Sequence, residues 1–218
     1  MKGGVILCIL LCCTSSICNA MTKKELTLNK ATKYIAMRES FSPVCYKDGY
    51  DQKNKKWNYS LGYGTAKAGD KENWCDTHIK VLRWKNPLLV FKSDDYVRSL
   101  VKVEEKVARW KLKQYITTIY DNLYKQNPAL VNALDDVELT AILSFIYTIG
   151  ETAFYKSTVN KVYLNDYIHN NKLNCVKFRN AYLKWSYAKD KKGYKFLQGA
   201  YNRRKSEFGL LIYGKCVF

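Results

Sequence analysis

The chain has 218 residues, of which 47% are hydrophobic and 26% are charged, and its formal net charge at pH 7 is +18. The lysines are scattered along the sequence, which excludes a basic tail and indicates a charged surface around a core. Such a charge predicts a polyanionic partner, and the lack of a nucleic-acid-binding motif with defined spacing favours an anionic membrane or a bacterial wall over nucleic acid.

Residues 1–20 have the pattern of a secretory signal peptide. Lys2 gives a charged start, residues 4–13 form an apolar run too short to span a bilayer, and Cys18-Asn19-Ala20 places small residues before a cleavage point. An uncleaved membrane anchor is the alternative, but a spanning helix needs about 20 apolar residues. We therefore expect an exported protein whose mature domain is residues 21–218, with a net charge of +17 once Lys2 is removed.

Export changes how the cysteines are interpreted. An even number of them remains in the predicted mature chain, which in an oxidising compartment predicts two disulfides: Cys45, Cys75, Cys175 and Cys216. Three connectivities are open, and we prefer Cys45–Cys75 with Cys175–Cys216, the pairs nearest in sequence. Cys75 and His78 resemble half of a metal site, but the chain has only two histidines, so we expect neither a metal nor a cofactor.

The first predicted helix places a glutamate at its end. Its apolar face has i, i+3, i+4, i+7 spacing and consists of Leu28, Ala31, Thr32 and Ile35. Glu39 is the next position on that face. A core-facing glutamate is partly desolvated, which favours its neutral form.

A hairpin is predicted directly after this helix. Pro43 prevents the helix from continuing, Asp48-Gly49 is a turn signal, and residues 59–64 are typical of a short strand interrupted by glycine. The hairpin would fold Asp48 back towards Glu39. One neutral and one ionised carboxyl group allow a glycosidase to protonate a leaving oxygen and to act on a water or on the sugar. The alternative is a solvated glutamate at a helix end and an aspartate that only forms a turn.

The stretch from Glu39 to Thr65 resembles the active-site hairpin of phage-type lysozymes, the muramidases of glycoside hydrolase family 24. Their signature is Glu-x8-Asp-x5-Thr, ending in Thr-Ile-Gly-Tyr-Gly. Here eight residues separate Glu39 from Asp48, and a Ser-Leu-Gly-Tyr-Gly strand follows. The resemblance implies that Glu39 is the general acid, that Asp48 positions the attacking water, and that Ser60 replaces the threonine as the second water-holding hydroxyl.

The chain departs from this pattern in three ways. Eleven residues rather than five separate Asp48 from Ser60, so an insertion is expected within residues 51–56. Serine replaces threonine, which keeps the hydroxyl and loses the methyl group that restricts its rotamers. Thr65 stands where the family often has a histidine. The insertion affects the match of Ser60 to the family threonine most, because Glu39 and Asp48 precede the inserted residues.

The middle of the chain contains two segments, of which only the second has a regular apolar pattern. In residues 74–91 we interpret the aromatic side chains, Trp74 and Trp84 among them, as lobe core rather than as a sugar-binding platform. Ser93 begins a predicted long amphipathic helix, which continues until Asn127-Pro128 breaks it. The first part of this helix has an apolar stripe at steps of three and four: Tyr96, Leu100, Val103, Val107 and Trp110.

A central helix is predicted after this break. Asp135 and Glu138 form a capping-box-like start, the following residues leave almost no polar face, and Gly150 fits the C-terminal cap. A helix that is apolar all round is buried. Residues 143–158 resemble the core of the helical lobe in the same lysozymes.

The C-terminal part completes the resemblance. Residues 199–207 resemble the closing helix of these lysozymes, and within them Arg203 and Glu207 have the i, i+4 spacing of an ion pair. We interpret this pair as structural and exposed, in which case it contributes little to stability. Residues 189–193 are expected to form a solvated loop.

These patterns predict an α+β, lysozyme-like fold, with a small β-hairpin lobe, a larger helical lobe and the active-site cleft between them. The family implies a secreted, monomeric muramidase that hydrolyses β-1,4 bonds between N-acetylmuramic acid and N-acetylglucosamine in bacterial peptidoglycan. Its expected partners are peptidoglycan and the anionic cell-wall surface, with no nucleic acid and no stable membrane insertion. Two alternatives stay open: a catalytically weak or silent cationic protein that binds bacterial walls or membranes, and a basic scaffold for nucleic acid.

Overall fold

The structure, a computed structural model, describes residues 21–52, 54–65, 72–170, 174–190 and 193–212. The predicted signal peptide, residues 1–20, lies outside this range. The α-helices of the described part are α1 (Lys23–Arg38), α2 (Trp74–Lys85), α3 (Asp94–Ser99), α4 (Glu105–Gln126), α5 (Pro128–Ala133), α6 (Asp136–Ile149), α7 (Glu151–Lys156), α8 (Asn165–Asn170), α9 (Cys175–Leu183) and α10 (Gln198–Leu211). Shorter helical turns are Pro87–Phe91, Val159–Leu164 and Lys184–Ser186.

Four strands form two separate antiparallel hairpins in the same residues. Strand β1 (Ser42–Asp51) pairs with β2 (Lys56–Gly62), and β3 (Tyr187–Asp190) pairs with β4 (Gly193–Phe196). The predicted α+β architecture, a small hairpin beside a larger group of helices, is confirmed. No helix in the described ranges is both long enough and apolar enough to cross a bilayer.

Helix α6 is the centre of the helical lobe, as predicted. Its N-terminus has a capping box, in which the Asp135 carboxylate accepts from the backbone of Glu138 and the Glu138 carboxylate accepts from the backbone of Asp135. Every residue from Glu138 to Ile146 is buried. The helix packs against α1, α4 and α10, so a helix without a polar face is surrounded by other helices.

Helix α1 directs its apolar face into the core and ends one residue before Glu39. Thr22 and Glu25 form a capping box at its start. Glu39 is the C-cap: its backbone is extended, and its N–H donates to the Ile35 carbonyl at 2.9 Å. The predicted stripe is confirmed, since all four of its residues are buried: Leu28, Ala31, Thr32 and Ile35.

The first hairpin is longer than predicted, and its turn lies elsewhere. Tyr46 pairs with Ser60, and beyond a β-bulge at Asp48 the ladder resumes and ends with Asp51 opposite Lys56. The prediction of a turn at Asp48-Gly49 is therefore wrong. The hairpin turns within residues 51–56, where the insertion was expected, because the extra residues extend both strands outwards.

The predicted long helix before residue 127 is wrong in its first part. Helix α3 ends at Ser99 and α4 begins at Glu105. Val101 and Val103 are buried between them, and Lys102 forms an isolated bridge with Val44 of β1. This break changes the direction in which the apolar side chains point. Apart from Val103, the predicted stripe is exposed: Tyr96, Leu100, Val107 and Trp110.

The interpretation of residues 74–91 as core holds only for their beginning. Trp74 is buried, whereas Trp84 is 80% exposed and Phe91 is 85% exposed. The predicted loop at residues 189–193 is wrong for residues 189, 190 and 193, which belong to paired strands, while residues 191 and 192 lie outside the described residues. Tyr187 lies opposite Phe196 with their rings 5.3 Å apart, and such cross-strand aromatic pairs stabilise a hairpin.

A disulfide ties the first hairpin to the helix that follows it. Cys45 of β1 is bonded to Cys75 in the first turn of α2, with 6.0 Å between their Cα atoms. This confirms one of the two preferred pairings and excludes Cys75 as a metal ligand partnered with His78. Cys175 is also disulfide-bonded. Cys216 lies outside the described residues, so the pairing Cys175–Cys216 stays a prediction.

Candidate active site

The three candidate catalytic residues lie at the end of α1 and on the two strands of the hairpin that follows it. Glu39 caps the C-terminus of α1, Asp48 occupies the bulge of β1, and Ser60 lies on β2. Ser60 is fully buried, Asp48 is exposed and Glu39 is intermediate, with 27% of its side chain accessible. The two carboxylates are therefore at the surface of the hairpin, supported by a buried hydroxyl.

Asp48 and Ser60 contact each other directly. The Ser60 hydroxyl donates to Asp48 Oδ2 at 2.5 Å. Ser60 is paired with Tyr46 in the ladder, and the bulge gives Asp48 no partner of its own, so its side chain turns to the face of Ser60. The inserted residues lie beyond this point, between Gly49 and Asn58. The insertion therefore lengthens the outer arm of the hairpin and leaves the Asp48–Ser60 contact intact.

Glu39 contacts a side chain that the sequence analysis had assigned to the lobe alone. Arg203 Nη1 of α10 donates to Glu39 Oε1. The same guanidinium donates through Nε to Glu207 at 3.1 Å and through Nη2 to the hydroxyl of Ser144 at 3.1 Å. These three contacts fix Arg203 between α1, α6 and α10. The prediction that the Glu39 carboxylate faces the apolar core is therefore wrong, because it lies against the Arg203 guanidinium.

The Arg203–Glu207 pair was predicted to be exposed and weak, and that prediction is wrong. The Glu207 side chain is inaccessible and that of Arg203 is 11% accessible. Glu207 also accepts from Arg204 at 2.8 Å and from Ser144 at 2.6 Å. Burial raises the pKa of Glu207, and the two guanidiniums and the Ser144 hydroxyl act in the opposite direction. A spacing of four residues indicated this pair but gave no sign of its burial or of its link to Glu39.

A tyrosine lies within electrostatic reach of both candidate carboxylates. The pKa of Tyr46 is raised, first by burial and then by the negative charges of Asp48 and Glu39. Its phenol therefore stays protonated. The charges of Asp48 and Glu39 therefore both act on this one phenol.

The floor of this site is formed by Gly64 and Tyr147. Gly64 has φ +80°, a left-handed conformation that favours glycine, and a methyl group there would lie 3.6 Å from Tyr46 Oη and 4.0 Å from Glu39 Oε2. Tyr147 Oη donates to the Tyr63 carbonyl at 2.6 Å. Burial is the main cause that raises the pKa of Tyr147, followed by the charge of Glu39. Backbone conformation thus favours the second glycine of the Gly-Tyr-Gly motif at this position beside Tyr46 and Glu39.

The helical lobe contains a cavity of about 640 Å³ with a mixed cationic and aromatic lining. Aromatic faces suit sugar rings, and ammonium groups suit carboxylates or phosphates. The lining includes Lys156, Ser157, Lys177, Lys184, Trp185 and Tyr187. No group of three or more His, Cys, Asp or Glu side chains that suits a metal ion occurs within the described ranges.

Comparisons with known proteins agree with this geometry. The sequence model described as phage lysozyme matches residues 38–207, whereas a search of curated proteins found no match. The fold is similar to an endolysin from Escherichia coli O157:H7 phage FAHEc1, with 20% identity, a TM-score of 0.54, and coverage of 87% of this chain and 94% of the endolysin. It is also similar to the muramidase domain of SpmX from Asticaccaulis excentricus, with 17% identity, a TM-score of 0.50, and coverage of 84% and 94%. The family match spans most of the sequence and includes every residue of the site, so the chain belongs to the phage lysozyme family and is a lysozyme that hydrolyses peptidoglycan.

Proposed function

We propose that this lysozyme is exported and cleaves the β-1,4 bond between N-acetylmuramic acid and N-acetylglucosamine, with Glu39 as general acid and Asp48 and Ser60 as the groups that position water. The observation on which this rests is the hydrogen bond from Ser60 to Asp48, on the hairpin whose Gly64 lies beside Glu39 Oε2 and Tyr46 Oη. Two carboxyl groups in different surroundings are the requirement for acid-assisted glycoside hydrolysis.

The contacts of Glu39 define which oxygen donates the proton. Oε1 accepts from Arg203, so a proton on the neutral acid is carried by Oε2. Oε2 is the oxygen directed to the floor beside Gly64. Arg203 is in turn fixed by Glu207 and Ser144, so it acts as a positioning residue for the acid. The proton is then delivered to the leaving oxygen of a glycan bound above this floor.

Asp48 is suited to holding a water because of its exposure. Oδ2 accepts from Ser60, which leaves Oδ1 available to accept from a water on the open side of the hairpin. The alternative of a silent cationic binder was based on the inserted hairpin. Because the insertion does not separate Asp48 from Ser60, that argument for inactivity is removed.

Export is supported by the N-terminal sequence pattern and by the Cys45–Cys75 disulfide, since disulfides persist mainly outside reducing compartments. The net charge suits capture of a wall whose carboxylates and phosphates are negative. The lysine and aromatic cavity of the helical lobe is a suitable place for such a glycan. Lysis of competing or pathogenic bacteria follows if the exported enzyme meets their walls.

The test is a comparison of Glu39→Gln with Glu104→Gln. Glutamine at residue 39 cannot deliver a proton, so the clearing rate of purified walls should fall by about 10²–10⁴-fold. The Glu104 side chain is exposed and pairs with Lys106 rather than with a residue of the site, so its substitution should leave the rate unchanged. Equal clearing by the native protein and Glu39→Gln would contradict the mechanism.

The bond itself is identified from the new reducing ends. After borohydride reduction of the digest, cleavage at the proposed bond yields muramitol. Glucosaminitol in its place would show that the other glycosidic bond is cut. Export is tested separately, by finding the protein in the medium with its N-terminus at residue 21.

A further inference from the structure

The end of α2 and the helical turn after it expose a group of large apolar side chains. We call this group the apolar protrusion. Single exposed apolar residues are ordinary, but five of them within the eleven residues 81–91 are the kind of group that marks an interaction site. Its members and their exposed fractions are Val81 (44%), Trp84 (80%), Leu88 (73%), Val90 (61%) and Phe91 (85%).

The protrusion is held in place by polar contacts on its inner side. Arg83 donates to the carbonyls of Leu89 at 3.3 Å and Lys92 at 3.0 Å, and it pairs with Asp94 at 2.8 Å. Asn86 caps the turn by accepting from the Leu88 N–H at 3.2 Å. None of the residues in the turn Pro87–Phe91 is buried. The apolar side chains are therefore presented outwards by a preorganised backbone and are not needed for packing.

The same segment is basic. Residues 80–92 contain four cationic side chains and no acidic one: Lys80, Arg83, Lys85 and Lys92. Two of these cations are paired with carboxylates, Lys80 with Glu72 and Arg83 with Asp94, so the basic character of the segment rests on Lys85 and Lys92. Tyr96 continues the exposed apolar surface, with Lys92 Nζ 5.8 Å from its ring centre. Apolar side chains therefore project from a basic rim.

We propose that the apolar protrusion docks reversibly on anionic phospholipid surfaces. Aromatic and aliphatic side chains flanked by lysine are the combination that partitions into the headgroup region of a bilayer. Lysine side chains near an anionic surface add electrostatic attraction to this partitioning. A second copy of this chain fits less well, because each copy has the same large positive charge and the two repel.

The protrusion is separated along α2 from the end of that helix that packs on the hairpin. Trp74, at the start of α2, packs beside Gly62 of the hairpin. Trp84 is ten residues further along the same helix, which corresponds to about 15 Å. Trp84 is therefore separated by about this length of helix from the end of α2 that packs on the hairpin.

The test measures binding of the full mature chain to vesicles. Vesicles of phosphatidylglycerol with phosphatidylcholine are compared with phosphatidylcholine alone, using sedimentation at low salt. The variant Trp84→Ser/Leu88→Ser/Phe91→Ser removes the apolar contacts, and it should bind anionic vesicles at least about 10-fold more weakly. The control is Trp110→Ser/Val176→Ser, which removes similarly exposed apolar residues elsewhere and should bind as the native protein does.

Two further readouts decide the outcome. Brominated lipid should quench the native fluorescence more than that of Trp84→Phe, and hydrolysis of soluble glycan fragments should be the same for all variants. Native protein that does not bind anionic vesicles, or a triple variant that binds them equally well, would overturn the proposal. A native dimer that the triple variant abolishes would also overturn it, because the surface would then join two copies of this chain.

Discussion

The buried hydroxyl of Ser60 orients the Asp48 carboxylate, because its hydrogen bond to Oδ2 leaves Oδ1 towards the solvent. Ser60 is also paired with Tyr46 across the ladder. In the related signature this position is a threonine, whose methyl group restricts rotation. Here complete burial and these neighbours restrict the serine instead. The role of a water-holding hydroxyl is thus compatible with the smaller residue.

Ser60→Ala tests this arrangement. Hydrogen bonds to charged groups contribute about 1.5–3 kcal/mol, so the loss should reduce wall clearing by about 10–100-fold, less than the loss for Glu39→Gln. Ser60→Thr should recover the hydroxyl but must place a methyl group in a packed site, which limits its activity and stability. Thr118→Ala, on the exposed side of α4, serves as the control in the same turbidity assay. An unchanged rate in Ser60→Ala would exclude Ser60 from water positioning.

Arg203 shows what the sequence could not reveal at the scale of single residues. Its spacing from Glu207 indicated an ion pair, but its contact with Glu39 joins residues 164 positions apart. Such a contact follows only from the packing of α10 and α1 against α6. By contrast, Glu39, Asp48 and Ser60 were singled out from spacing and resemblance, since they lie close together in the sequence. Their catalytic roles stay predictions.

At the scale of elements, sequence patterns predicted helices correctly where a helix buries its apolar face in the core. The apolar stripe of α1 and the capping box of α6 predicted these helices correctly. The stripe from Tyr96 to Trp110 matched a helix as well, but tertiary contacts interrupt it: Val103 donates to the Pro43 carbonyl at 2.9 Å, and Lys102 bridges to β1. A periodic sequence does not show where a neighbouring strand will break the helix.

The first hairpin depends on a covalent tie to α2. The Cys45–Cys75 bond closes a loop with a sequence separation of 30, for which loop entropy predicts about 3–4 kcal/mol of stabilisation. Cys45→Ala/Cys75→Ala should therefore lower Tm by about 10 °C, which calorimetry would measure. Hydrogen exchange should show the amides of β1 and β2 losing protection before those of α6. A Tm unchanged by the double substitution would mean that hairpin packing alone fixes the site.

At the scale of the whole molecule, charge is the property most evident from the sequence. The net charge of +18 predicted a polyanionic target, but it did not predict where that target binds. The structure gathers lysine side chains at the cavity of the helical lobe, with Trp185 and Tyr187 beside them. It also places exposed Trp84 and Phe91 at the other lobe, where the sequence had suggested core. Where lysine and aromatic side chains lie on the surface depends on the assembled fold, which amino-acid composition does not predict.

Wall capture through this charge should depend on salt. The screening length falls from about 10 Å at 0.1 M to about 3 Å at 1 M, so clearing of whole walls should slow steeply as salt rises past physiological strength. A short soluble glycan fragment has few charges and should be hydrolysed with a much weaker dependence. Equal salt sensitivity for walls and fragment would mean that salt acts on the site or the fold and not on capture.

Substitution of the lysines of the helical-lobe cavity tests whether walls are captured at that cavity. Neutralising them should lower the salt dependence and the low-salt rate on walls, while hydrolysis of the short fragment stays similar, because long-range attraction and not chemistry is reduced. The variant is Lys156→Gln/Lys177→Gln/Lys184→Gln. The control removes the same charge at exposed positions away from the cavity: Lys102→Gln/Lys125→Gln/Lys205→Gln. If both variants change the salt dependence equally, the wall is attracted by the net charge of the molecule and not by this cavity.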